Sequence, residues 1–291
     1  MSGVTAIVTA FQRIDQTLAT LRTLEGCVPP PAEILVHVDG NQRACAEAIR
    51  AAHPGVRVLI SEGTAGPGGG RNRLIAESTQ PFVASFDDDS YPIDADYFSR
   101  ATEVFASFPD ASVIGASEYH SDEVIGPDTR TASWVADFVG GACAYRRDAF
   151  LRSGGYVPIA TAYGMEEVDL ALRLHASGGR VLRTRWLRVF HDTDRARHAD
   201  PAVTAASIAN IALLAYLRYP IWLWGVGVGQ GFNRIVWLLG HGRRRGILRG
   251  LVSIPVVLRQ YASARHLVTA AALFSYLRLR RHPVAAPFGR V

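Results

Sequence analysis

Three groups of residues have the types and spacing to do chemistry. Asp87, Asp88 and Asp89 follow one another directly after the apolar run FVASF at 82–86. Adjacent carboxylates repel and need counter-charge. Their oxygen donors suit a divalent cation, Mg2+ or Mn2+, and a cation there would attract a diphosphate. The plainer alternative is an acidic turn capping the next helix. The second group is YGMEEVDLALRLHASGG at 163–179. On a helix, Glu166, Asp169 and Arg173 share a face at i, i+3 and i+7. Glu167 falls early, where the helix dipole helps keep a carboxylate ionised. An ionised carboxylate in a cleft can act as a general base. An amphipathic helix with internal ion pairs is the commoner origin of such a pattern. The third is His191, which ends LRVFH. As a neutral imidazole it could complete a metal site with Asp89; a structural or solvated histidine is the alternative.

A glycine-rich stretch, GTAGPGGGRNR at 63–73, adds a fourth feature. It is not a P-loop, because no GK[ST] closes it. It also misses the dinucleotide fingerprint, because Arg71 stands where the third glycine belongs. Its glycines still permit close backbone approach. Arg71 and Asn72 open the next helix and could bind phosphate or hold the acidic cluster. A flexible surface loop is the other reading.

These residues need elements to position them. Strands are predicted at 4–9, 33–38, 56–60 and 82–86, and helices at 13–24, 42–51 and 70–78. This alternation predicts a parallel sheet with helices on both faces, binding ligands at the carboxyl ends of its strands. Further on, a helix is expected at 94–106 with Asp94 as N-cap and a strand at 111–117. A polar loop near the site follows at 118–133. FVGGACAYRR at 138–147 reads as a strand, a helix is expected near 164–177, and VLRT and LRVFHD follow it.

The 291 residues are 48% hydrophobic and 20% charged, which excludes a disordered chain. Cys27, Cys45 and Cys143 are too few for a disulfide scaffold and lack metal-finger spacing. The N-terminal MSGVTAIVTAFQR has no basic stretch followed by a long apolar one, so the expected compartment is the cytoplasm. There is no lysine. Residues 1–200 hold 19 arginines and 26 acids, and residues 201–291 hold 12 arginines and no acid. The expected organisation is therefore a mildly acidic body at 1–200 and an apolar, cationic helical region at 201–291. Such a tail suits anionic phosphate groups. Its apolar content argues against nucleic acid. Trp222, Trp224, Trp237, Tyr216 and Tyr219 are residue types favoured at a bilayer interface. Arg218 and Pro220 interrupt the longest run, which favours helices lying in the membrane surface over a crossing helix. A hydrophobic cap on the body or a dimer contact is the alternative.

Taken in order, VTAFQR, VDG, GPGGGRNRLI, FDDDSYP, GGACAYRRDAF…GGY, MEEVDLALRL and FHD resemble the family 2 glycosyltransferases. The resemblance covers roughly residues 1–200. It implies an α/β fold of the GT-A type, a single Rossmann-like domain with a mixed, mainly parallel sheet. It implies a nucleoside-diphosphate sugar as donor, a divalent cation (Mn2+ or Mg2+) as cofactor, and an inverting transfer to a hydroxyl. The expected acceptor is a glycan or lipid-linked molecule of cell-surface polysaccharide synthesis, at the inner membrane face. By the same resemblance, Thr9, Ala10, Phe11 and Arg13 bind the nucleotide and Asp39 recognises the base. Arg71 and Asn72 lie near the diphosphate. Asp87, Asp88 and Asp89 match the DxD signature, with Asp87 toward the ribose and Asp89 on the metal beside His191. Glu166–Glu167 matches a Glu-Asp pair whose second member is the base. Glu167 is therefore the expected base, one methylene longer than usual, with Glu166 or Asp169 as substitutes. An inactive membrane-bound scaffold is one competing reading. A phosphate hydrolase is another, but DDDSY lacks the DxDx[TV] run and the chain has no lysine.

Overall fold

A computed structural model of the chain describes residues 2–159, 165–192 and 200–288. The first half alternates as the sequence predicts: β1 (Val4–Ala10), α1 (Ile14–Glu25), β2 (Glu33–Val38), α2 (Arg43–Ala52), β3 (Arg57–Ile60), α3 (Gly66–Glu77) and β4 (Phe82–Asp87). β1 and β2 are apolar runs covered on both faces, as central parallel strands must be. After β4 come β5 (Ser90–Pro92), α4 (Tyr97–Ser107), β6 (Ala111–Tyr119), β7 (Ala132–Val135), β8 (Ala142–Arg146), α5 (Arg147–Arg152), α6 (Glu166–Ala176) and β9 (Arg180–His191).

The described strands form one sheet in the order β10-β7-β9-β6-β8-β4-β1-β2-β3, where β10 is Val284–Ala285 and β5 pairs with β9 off that path. Only β5, β7 and β8 run against the common direction. The parallel register sets Thr9 beside Asp87 and Ala10 beside Val38, so β1, β2 and β4 end together. The β5–β9 pairing sets Ser90 opposite His191 and so draws the histidine to the acidic run.

Three local expectations change. The glycine stretch is no surface loop. α3 begins four residues early, at Gly66, with Gly68, Gly69 and Gly70 buried. A Cβ on Gly70 would stand 2.6 Å from His37 Nδ1, and one on Gly68 would collide with the Glu166 carboxyl. The helix can seat there only because those side chains are missing. Asp94 does not cap α4, which starts at Tyr97. Its carboxylate instead pairs with Arg188, one bond being 2.9 Å, and with Arg100 at 3.3 Å. VLRT and LRVFH are one twelve-residue strand with irregular register against β6.

The expected boundary near Asp200 adjoins residues 193–199, outside the described residues. Beyond it lie α7 (Pro201–Arg218), α8 (Trp224–Gly240), α9 (Ile247–Gln260) and α10 (Ala270–Arg281). Leu213, Leu217, Tyr219, Leu273 and Tyr276 share one apolar core with Leu170 and Leu174 of α6 and Tyr145 of β8. β10 then joins the sheet beside β7. One buried ion pair fastens this region to the body. Asp169, fully buried, pairs with Arg218 Nη2 at 3.2 Å and with Arg173 at 2.9 Å. Arg218 also donates to the carbonyls of Ala264 (2.9 Å) and His266 (3.2 Å). Asp169 is thus a structural anion and cannot substitute as the base.

Replacing one member of such a pair strands the other and frees the carbonyls it satisfied. Arg218→Met should lower unfolding stability by about 3 kcal/mol, at the low end of the range for buried pairs because Arg173 remains. Urea denaturation of the full chain measures it; an unchanged midpoint would contradict the anchoring role.

Candidate active site

The ends of β1, β2 and β4 and the start of α3 enclose a cleft of about 330 Å3. It is lined by Thr9, Ala10, Phe11, Arg13, His37, Asp39, Thr64, Gly66, Pro67, Asp87 and Asp88. Seven of the residues singled out from sequence for the nucleotide sugar therefore meet in one place. Phe11, about half exposed at 47%, lines the cleft. Asp39 is buried and occupied. It accepts from the backbone N–H of Ala65 (2.8 Å) and Gly66 (3.0 Å) and from Ser61 (2.9 Å). Gly66, at φ +70, takes the left-handed conformation that only glycine adopts freely. Asp39 thereby fixes the mouth of α3.

The three aspartates are compensated by different partners. Asp87 accepts from Thr9 (3.0 Å) and from the buried guanidinium of Arg71, whose Nε also donates to Ser85 (3.1 Å). Asp88 accepts from the Phe11 N–H (3.1 Å) and pairs with Arg13 (2.7 Å). Burial still dominates, pushing the Asp88 carboxyl up to about 7. Asp89 meets the other arm of Arg13 and His191 Nε2 (3.1 Å). Burial opposes its charge, but His191 and Arg13 outweigh it and hold Asp89 below the usual carboxylate range. Asn72 stands apart from this set. Its amide donates to the Tyr156 carbonyl (2.9 Å) and accepts from the Tyr156 N–H (2.8 Å), clamping the 153–157 segment to α3.

His191 is held between acids. Nδ1 faces Glu118 and Nε2 faces Asp89, and together they lift the imidazole to about 10 against the opposing effect of burial. The expected neutral imidazole is thus an imidazolium in this state. His120 Nδ1 bonds the His191 carbonyl at 3.1 Å, and the two rings stack. Ligand atoms of Glu118, His120 and His191 lie within 4.8 Å of one another. This oxygen and nitrogen donor set, beside Asp89, fits a divalent transition cation such as Mn2+. Glu118 and His120 carried no sequence motif; the polar character of 118–133 was the only signal. They arrive because β6 and β9 end side by side, Tyr119 opposite Phe190.

Glu166 and Glu167 open α6, and their environments differ. Glu166 is buried, with neither oxygen hydrogen-bonded. Burial, then the neighbouring Glu167 charge, pushes it up to about 9, so it is a neutral acid at pH 7. Glu167 is half-buried. Burial raises its proton affinity too, more than the Arg71 charge lowers it. A Cβ on Gly140 would stand 2.8 Å from Glu167 Oε1 and 2.9 Å from Arg71 Cζ, and one on Gly141 would collide with Asp87. The Gly140–Gly141 backbone therefore lies directly against both acids and Arg71.

Residues 2–166 match the sequence family described as Glycosyltransferase like family 2. No curated protein matches the chain. Among solved structures, GalNAc-T7 with UDP, GalNAc and Mn2+ aligns with a TM-score of 0.60 at 12% identity, over 75% of this chain and 48% of that one. The mannosyltransferase PcManGT from Pyrobaculum calidifontis, in complex with GDP-Man and Mn2+, aligns at 0.59 and 16% identity over 96% and 80%. S. aureus TarS 1-349 with UDP-GlcNAc aligns at 0.54 and 15% identity over 72% and 66%. The chain thus spans about half the length of the first. At these identities the likeness shows a shared fold, the GT-A glycosyltransferase fold.

A buried neutral Glu166 has a stability signature. Its folded value, about 9, lies above the ordinary 4.5, so the unfolded chain ionises first as pH rises. Stability attributable to it falls between about pH 5 and pH 9, by at most about 1.4 kcal/mol per pH unit. Glu166→Gln should flatten that slope, gaining stability relative to wild type at pH 8 but not at pH 4. Melting curves across that range check it; parallel curves would contradict the burial argument.

Proposed function

We propose a specific reaction for this chain, which belongs to glycosyltransferase family 2: inverting transfer of a sugar from a nucleoside diphosphate to an acceptor hydroxyl. The observation that carries the proposal is the single cleft at the strand ends. It collects Thr9, Phe11, Arg13, Asp39, Asp87 and Asp88, with Arg71 linking Asp87 to the neighbourhood of Glu167. The nucleoside lies across this cleft, its base against the exposed Phe11 ring and near Asp39, its ribose toward Asp87. Arg13 lies beside the diphosphate. Asn72 acts indirectly, by holding the 153–157 segment in place.

A divalent cation held by Asp89 and His191, with Glu118 and His120 at hand, would supply positive charge to the leaving diphosphate. Because His191 carries a proton in the free protein, cation binding there is coupled to proton release. Glu167, half-buried and next to Arg71, takes the acceptor proton on its carboxylate as the hydroxyl attacks. Its raised proton affinity brings it nearer to neutrality, where a general base is most effective. A base facing the leaving group across the sugar gives direct displacement, hence inversion. Glu166, protonated and out of solvent, positions α6 against Gly68 and takes no proton from the acceptor.

The acceptor side is a second cleft, of about 940 Å3, bordered by Glu118, Phe138 and Val139. Arg183 and Arg185, both exposed on β9, line it. We assign this cleft to the glycan or lipid-linked acceptor of a cell-surface polysaccharide, whose anionic groups would meet the two arginines. The inactive-scaffold reading rests on glutamate at 167 alone.

Glu167→Gln should lower kcat by about 10^2 to 10^4, the usual contribution of a positioned base, while nucleoside diphosphate binding stays within twofold. Transfer assays and calorimetry on the same preparation separate the two effects. Undiminished transfer would reject Glu167 as the base. A wild type that binds no nucleoside diphosphate and transfers nothing would favour the scaffold.

A further inference from the structure

α7, α8 and α9 pack as a three-helix layer on the body, but only α7 is covered. Leu213, Leu214 and Leu217 of α7 are buried, and Arg218 sits in the Asp169 ion pair. α7 is long and apolar enough to cross a membrane, yet 61% of it is buried in the protein, so it is a core helix. α8 and α9 each keep one apolar line in the open. On α8 it is Val228, Phe232 and Val236, exposed at 73%, 66% and 51%; on α9 it is Leu248, Val252 and Val256, at 74%, 70% and 69%. In both helices the spacing is i, i+4, i+8, one continuous face. Trp222, 68% exposed, lies in the short helical turn Ile221–Leu223 just before α8.

Between the helices runs an apolar groove of about 390 Å3, bordered by Val228, Phe232 and Leu251, so it opens beside the α8 line. A soluble protein rarely leaves so many large apolar side chains aligned in water. The polar edges of this layer are purely cationic. Arg244 and Arg245 in the α8–α9 turn, and Arg249 and Arg259 on α9, are exposed and form no ion pair among the described residues. Residues 201–291 contain no acid.

We propose that the α8–α9 face docks in the plane of an anionic bilayer. Charge decides the occupant. A second copy would bring the same arginines against themselves, whereas anionic headgroups complement them. Length decides the orientation. α9, at 14 residues, is too short to cross, and α8, at 17, is at the short end of the roughly 20 residues a crossing helix needs and carries Arg234 within it. Each also has its other side committed to α7 or its own turn. Aromatic and aliphatic side chains enter the headgroup–acyl boundary, and arginines flank them at phosphate level. The inference is independent of donor and acceptor identity, and none of its residues belongs to the catalytic or donor clefts.

The test is vesicle co-sedimentation of the full chain. The vesicles are phosphatidylcholine alone, or with 30% phosphatidylglycerol (roughly one anionic lipid in three), at low and high salt. The wild type should bind the anionic vesicles at least tenfold more tightly than the neutral ones, and high salt should weaken it. Phe232→Ser/Val252→Ser should lose at least tenfold on anionic vesicles. Arg244→Gln/Arg245→Gln should lose affinity for anionic vesicles only. Both double variants are at exposed positions, and an unchanged melting temperature will confirm that they fold. Brominated acyl chains should quench tryptophan emission in the wild type and less in Trp222→Phe. No vesicle binding, binding indifferent to phosphatidylglycerol, or a stable dimer abolished by Phe232→Ser would each overturn the proposal.

Discussion

The constraint on which the structure turns is the crowding of five carboxylates at the carboxyl ends of a few strands. Asp87 ends β4, Asp88 and Asp89 follow it, and Glu166 and Glu167 open α6. Against them the described residues set Arg71, Arg13 and the His191 imidazolium. The compensation is uneven, and the unevenness creates distinct roles. Asp89 is held ionised by two cationic partners. Asp88 sits near neutrality, and Glu166 is pushed into the neutral form. One set of side chains thereby offers an anion for a cation site, a neutral buried acid, and a partly exposed carboxylate with raised proton affinity.

Small residues make the crowding possible. Gly68 lies against Glu166, Gly140 against Glu167 and Arg71, and Gly141 against Asp87. The glycine-rich stretch is therefore packing surface for an acidic centre, and α3 is seated on β1 and β2 through it. Asp39 fixes the mouth of that helix, and Asn72 fixes the segment facing it. The walls of the cleft are tied together by these polar bonds.

Most strands and the donor-side residues were legible because they follow local rules: apolar runs, turn residues, and polar residues where a parallel strand stops. His191 was legible for the same reason. What escaped depends on distant pairing. Glu118 and His120 meet His191 only through the β6–β9 register, which no local pattern announces. Asp94 reads as a cap until Arg188, 94 residues away, claims it. Asp169 reads as a spare acid until Arg218 of α7 buries it. The raised proton affinity of Glu167 is not legible in sequence, because it comes from burial. The tail's cationic, apolar character was plain from composition, but which helices it buries and which it exposes is a tertiary fact.

The central claim is that this cleft binds a nucleoside diphosphate with a divalent cation at Asp89 and His191. Its most direct test is the melting temperature of the full chain against UDP, dTDP, GDP, CDP and NAD, each with Mn2+ and with EDTA. A ligand that binds only the folded protein must raise that temperature. The account predicts a shift of several degrees from one nucleoside diphosphate, abolished by EDTA and by Asp89→Asn. A shift from NAD alone, or none from any nucleotide, would contradict it.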